Sequence, residues 1–89
     1  MIYALITGAS SGIGRCYAIE MAKRGYNIVA VSNQPQQLDE VARQITSDYG
    51  VEVVPIAIDL ASEGAAKRIF DTCHASGYDV EVLICNAGM

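Results

Sequence analysis

Residues 7–14 read Thr-Gly-Ala-Ser-Ser-Gly-Ile-Gly, three glycines and two serines set directly after the apolar run 1–6. A strand that enters a tight turn and then a helix makes an anion site, because a helix start presents free N–H groups and a partial positive charge. Gly8 lets the chain leave the strand sharply. Gly12, without a Cβ, lets an anion such as a pyrophosphate reach the backbone, and Gly14 lets the helix lie close on a sheet. Ser10 and Ser11 add hydroxyl donors. The spacing is G-x-x-x-G-x-G, distinct from G-x-G-x-x-G, and no Gly-Lys-Ser/Thr follows, which excludes a P-loop. A glycine loop alone is equally an ordinary structural turn, so its surroundings decide its meaning.

Those surroundings alternate. The apolar, β-prone stretch 2–6 predicts a strand, and 12–25 predicts a helix with Ile13, Tyr17 and Met21 four apart, Ala18 and Ala22 beside them, and Gly25 as its stop. Residues 27–32 predict a second strand. Pro35 suits a first helical turn, where its missing N–H is harmless. Leu38, Val41, Ala42, Ile45 and Tyr49 then follow helical spacing up to Gly50. A third strand is expected over 51–58, at a sheet edge because Pro55 cannot donate to a ladder. Ser62 is the expected N-cap of a third helix with Ala66, Ile69, Phe70 and Cys73 on its apolar face and Gly77 at its end. Residues 80–86 predict a fourth strand.

The resulting βαβαβαβ order implies an α/β fold with a parallel sheet and right-handed crossovers, half of a doubly wound domain. Strands one to three advance in one direction, so the first two helices share a face. The third crosses back on the other, and the expected spatial order is 3-2-1-4.

Composition narrows the function. The 89 residues are 52% hydrophobic and carry a net charge of −4. No Lys/Arg cluster offers a footprint for nucleic acid. No apolar run approaches bilayer length, and the N-terminus has no basic segment of the kind that opens a signal peptide. Cys16, Cys73 and Cys85 are odd in number and match neither zinc nor redox spacing, so three reduced thiols in a cytoplasmic protein are expected, with no metal site.

With these elements in place, three motifs resemble the short-chain dehydrogenase/reductase family across the whole chain. Residues 7–14 look like its TGxxxGIG motif, Asp59-Leu60 like the acidic pair after strand three, and Asn86-Ala87-Gly88 like its NAG motif after strand four. The resemblance implies a Rossmann-type three-layer fold, of which residues 1–89 are the N-terminal nucleotide-binding part. It implies that Gly8, Ser10, Ser11, Gly12, Ile13 and Gly14 wrap a dinucleotide's pyrophosphate and its riboses. It also implies that Asp59 and Leu60 meet the adenine, and that Asn86, Ala87 and Gly88 line the cofactor ribose and brace the sheet. Without the resemblance, Asp59 is as well a loop carboxylate or helix cap, and Asn86 a turn residue.

NAD sites place a carboxylate at the end of strand two, about 20 residues past the glycine turn. Ser32, Asn33 and Gln34 stand there instead, and the nearest acid is Asp39. With the repulsion removed, and with Ser32 and Asn33 able to donate hydrogen bonds, the pattern favours NADP over NAD, even without a neighbouring Lys or Arg other than Arg15.

The family's chemistry implies a Tyr-x-x-x-Lys pair, and none occurs: Thr7, Met21, Ala30, Val53 and Val82 stand four residues after the five tyrosines. No catalytic residue is therefore named. The expectation is a truncated, cofactor-binding portion of an NAD(P)-dependent oxidoreductase acting on a hydroxyl or carbonyl substrate, inactive alone. The alternative is a self-contained, non-catalytic binding or assembly module. A fourth strand at an apolar edge, over a face with one helix, also predicts self-association through that edge, that face or an exchanged element.

Overall fold

Short apolar stretches separated by amphipathic ones fold into alternating strands and helices because each strand buries both faces only when helices cross over it. The computed structural model describes residues 2–10 and 12–85. The chain runs β1 (Ile2–Thr7), α1 (Gly12–Lys23), β2 (Asn27–Ser32), α2 (Pro35–Tyr49), β3 (Val53–Ala57), α3 (Ala65–Ala75) and β4 (Asp79–Ile84). All pairings are parallel, in the expected order β3-β2-β1-β4. Among the described residues no helix is long and apolar enough to cross a membrane.

The central strands divide their side chains between two layers. Ala4, Ile6, Ile28 and Ala30 meet Ala18 and Ala22 of α1 and Leu38, Val41 and Ile45 of α2. Tyr3, Leu5, Val29 and Val31 point the other way, onto Ile69 and Cys73 of α3. The first two helices thus share one face and the third takes the other, as right-handed crossovers require.

Which line of each helix is buried differs from the expectation. Gly14, Ala18 and Ala22 are the buried line of α1, while Ile13 and Tyr17 are 65% and 44% exposed. Small side chains let this helix approach the strands closely, where a bulky residue would hold it off and leave voids. In α3 the buried line is Ala65, Ile69 and Cys73. Ala66 is exposed, and Phe70 is 54% exposed. Ser62 does not cap α3. Gly64 does so, in a left-handed conformation with no side-chain cap bond, because the Ser62 hydroxyl is drawn back to donate to the Asp59 carbonyl at 2.6 Å.

The two edges are blunted differently. Ile28 N–H donates to the Glu52 carbonyl and Ile58 N–H to the Ser32 carbonyl. Even positions of β3 therefore bond to β2, and Val53, Pro55 and Ala57 turn their backbone outward. Pro55 lies where an unpaired N–H would otherwise face solvent, as the sequence implied for an edge strand. On the opposite edge the register jumps from Tyr3↔Val80 to Ala4↔Val82, so Glu81 bulges out of the ladder.

At the N-terminal end of the sheet, the Tyr3 hydroxyl donates to the Glu52 carboxylate, and its ring lies 4.5 Å from that of Tyr78. Burial first, then the bond to Glu52, pushes the Tyr3 phenol up to about 12. Burial also pushes the Cys73 thiol up.

Candidate functional site

All four strands are parallel, so their C-terminal ends form one rim, the place where open α/β sheets bind ligands. The glycine turn occupies its centre. Gly8 leaves β1 at φ 65° and Gly12 enters α1 at φ 59°, values that a residue with a Cβ adopts only under strain. A Cβ placed on Gly12 would meet nothing within 4 Å, so the backbone there opens onto free space. The first turn of α1 contains no acidic residue, which leaves its positive end uncompensated. Gly14 sits buried against the sheet, in the packing role expected of it.

Hydrogen bonds tie the turn to its neighbours. Ala9 N–H donates to the Val31 carbonyl at 3.1 Å. The Thr7 hydroxyl donates to the Ile84 carbonyl at 3.5 Å, joining the rim ends of β1 and β4. Ser10 is buried, and its hydroxyl oxygen lies 2.7 Å from that of buried Ser32. Ser10 also donates to Gln34 Oε1 at 3.3 Å, and Gln34 N–H donates to Ser32 Oγ at 3.1 Å. Asn33 is exposed beside them.

Past β3, Asp59 Oδ1 accepts the Ala61 N–H at 2.9 Å, and the Asp59 carbonyl accepts both the N–H and the hydroxyl of Ser62. The carboxylate thus shapes its own turn through one oxygen. Asp59 and Leu60 are exposed at the rim, and Ile13 is exposed on the first turn of α1. Of the residues singled out from the sequence, Gly8, Ser10, Gly12, Ile13, Gly14, Ser32, Asn33, Asp59 and Leu60 therefore belong to the strand ends and turns of one rim. Ser11, Asn86, Ala87 and Gly88 lie outside the described residues. Arg15 donates to Gln44 Oε1 at 2.7 Å and so braces α1 against α2.

No role is expected for Gln34 from the sequence. Its signal was its place before Pro35, which makes it the N-cap of α2. Among the described residues no group of three or more His, Cys, Asp and Glu side chains could hold a metal. A groove of about 620 Å³ lies elsewhere, between α2 and the β3 edge, lined by Asp39, Arg43, Thr46 and Pro55 among others.

The profile of the short chain dehydrogenase family matches residues 3–89. The chain is similar to the very-long-chain 3-oxoacyl-CoA reductases of Anas platyrhynchos and Bos taurus. It is 40% identical to the first over 89 residues, 98% of this chain and 28% of that protein. It is 42% identical to the second over 89 residues, 98% of this chain and 27% of that protein. Among solved structures, L-sorbose reductase from Gluconobacter frateurii, complexed with NADPH and L-sorbose, superposes with a TM-score of 0.92 at 37% identity. That match covers 98% of this chain and 33% of that one. A short-chain dehydrogenase from Sphingobium yanoikuyae in complex with NADPH gives a TM-score of 0.89 at 35% identity, covering 100% of this chain and 35% of that one. The chain spans about a quarter of the length of these curated relatives.

Proposed function

The chain belongs to the short-chain dehydrogenase family, and on that premise we propose that its rim binds a nicotinamide dinucleotide, as the cofactor-holding portion of an NAD(P)-dependent oxidoreductase. Residues 1–89 form the N-terminal part of a dinucleotide-binding domain in this proposal. The carrying observation is the turn of residues 7–14, whose Gly12 backbone opens onto free space at the acid-free start of α1. A pyrophosphate is an anion of the size and charge that such a turn accepts.

Gly8, Ser10, Ser11, Gly12, Ile13 and Gly14 surround the pyrophosphate and riboses in this assignment. Asp59, with Oδ1 already fixing its turn, keeps its other oxygen for the adenine amino group, beside Leu60. Asn86, Ala87 and Gly88 take the ribose at the end of β4. When bound, the cofactor supplies hydride transfer, to or from a hydroxyl or carbonyl substrate. The protein's part here is to bind and orient it. Since no Tyr-x-x-x-Lys pair occurs in the 89 residues, the chain by itself is expected to bind cofactor without turning it over.

NADP is the preferred form. The neutral segment Ser32-Asn33-Gln34 opposes no carboxylate to a 2′-phosphate, and α2 starts with no acidic residue and no side-chain cap bond on its first N–H groups. Support for NADP also comes from the NADPH held by the two structural relatives. Fluorescence titration with NADPH and NADH tests both levels. Tighter NADH binding rejects the preference, and binding of neither rejects the site.

Self-association belongs to the same proposal. Leu83 on β4 and Phe70 on α3 are 52% and 54% exposed, which supports pairing of copies over the thinly covered face. Light scattering after size exclusion at micromolar concentration checks it, and a well-folded monomer rejects it. The free thiols of Cys16, Cys73 and Cys85 support a reducing compartment such as the cytoplasm.

A further inference from the structure

The groove between α2 and the β3 edge draws on none of the rim residues. Ala42, Val53 and Pro55 supply its apolar lining, and Asp39, Arg43 and Thr46 its polar one. On its other side α2 turns Gln44 toward α1, where it accepts from Arg15. At about 100° per residue, Asp39, Arg43 and Thr46 fall on the flank opposite Gln44. Asp39 and Arg43 stand one turn apart, acid before base. At the same spacing on α1, Glu20 and Arg24 form an ion pair at 3.5 Å. Among the described residues, neither the Asp39 nor the Arg43 side chain takes an ion pair or a hydrogen bond. Aspartate is one methylene shorter than glutamate, so the turn is harder to span, and both charges stay available at the groove.

An acid and a base in this order complement themselves. When two such helices lie antiparallel about a two-fold axis, Asp39 of each copy faces Arg43 of the other. We propose that this groove is an interface between two copies of the chain, α2 against α2. A strand added along β3 fits less well, because Pro55 removes an N–H from the outward side of that edge and leaves the ladder incomplete. A helix brings no unpaired backbone groups along its length and needs only small side chains at the crossing. Ala42 and Thr46 provide them, for helix axes about 8–10 Å apart. With 15 residues, α2 is about 22 Å long. The contact therefore belongs to the small, transient class, below about 1,200 Å² in total. It lies at the β3 edge on the two-helix face, away from Leu83 on β4 at the opposite edge, so it is separate from pairing over the α3 face.

The test is sedimentation equilibrium at concentrations on the order of 100 μM, where a contact of this class is populated. The chain carries Leu83→Lys, which sets aside pairing over the α3 face. D39R then sets arginine against arginine across the two-fold axis, and R43D sets acid against acid. Each is expected to weaken self-association about tenfold or more, since like charges brought together at an interface are costly. The double variant D39R/R43D exchanges the charges and is expected to restore it. Mixing D39R chains with R43D chains is expected to restore it too, because every acid again meets a base. A role confined to the helix itself gives no recovery on mixing. Three results overturn the proposal: a monomer at this concentration, association that neither single reversal weakens, or a mixture no more associated than its components. Both positions are exposed, so the reversals are expected to keep their helical circular dichroism. If one does not, the chain carrying only Leu83→Lys decides the question. Its association is expected to weaken from about 50 to about 500 mM NaCl, and no change overturns the proposal. No cofactor enters the measurement, so its outcome and that of the dinucleotide reading are independent.

Discussion

The two faces of the sheet bury the same central strands but are finished to different depths. Under α1 and α2, Ile6, Ile28, Leu38 and Ile45 are almost wholly buried. Under α3 the central residues Leu5, Val29 and Val31 are as deep, and Val54, Ile56 and Val80 are partly covered, as Val53, Val82 and Ile84 are on the other face, but Leu83 stands half exposed. One face carries two helices, one of which packs through glycine and alanine. The other carries one helix that touches the sheet along a single line of Ala65, Ile69 and Cys73. Burial of a central strand thus needs only one line of cover, whereas the edge strands stay partly covered on both faces. The rim of C-terminal strand ends spans the junction, since its turns issue from the well-buried strands, and their hydrogen bonds knit β1 to β2.

The largest expected effect sharpens this contrast. Ile28→Ala on the two-helix face should cost about 2–4 kcal/mol in urea unfolding, as for a large-to-small change at a fully buried site. Leu83→Ala should cost less than about 1 kcal/mol, because half of that side chain never leaves water. Equal losses would break the comparison. Next comes Ala18→Leu, which forces α1 away from the strands and should cost about 1–3 kcal/mol. Ile13→Ala, on the neighbouring exposed line, should stay within about 0.5 kcal/mol. A reversal of that order would restore the bulky stripe as the buried one.

Tyr3 tests the lower end of the α3 face. Tyr3→Phe removes its bond to Glu52 and should cost about 1 kcal/mol. The folded phenol titrates at about 12, above its ordinary 10.0. The folded state then holds the proton more tightly, so this stabilisation is full below pH 10 and is lost as pH rises through 12. Unfolding followed across that window should show stability falling, with a shallower fall in Tyr3→Phe. The smallest effect on stability belongs to Leu83→Lys, within about 0.5 kcal/mol. Its light-scattering mass should nevertheless drop toward that of a monomer if the thinly covered face is where copies meet.

Much of this was legible because it is local. Strand and helix periods, Pro35 at a helix start, Pro55 on an edge and the glycine turn after β1 all follow from backbone chemistry within a few residues. The order β3-β2-β1-β4 follows from crossover handedness. The glycines of the rim stood out for the same reason, since a tight turn from strand to helix needs glycine where φ is positive. The sequence misplaced choices made by distance and competition. Hydropathy ranks Ile13 and Tyr17 above Gly14 and Ala18, but the gap between helix and sheet selects the small side chains. Ser62 has the chemistry of a cap, yet a nearer carbonyl on Asp59 takes its hydroxyl. Ser10, Ser32 and Gln34 lie 22 and 24 positions apart in the pairs that bond, and nothing local says which donates to which. Only the packing of the glycine turn against the end of β2 brings them within hydrogen-bond reach.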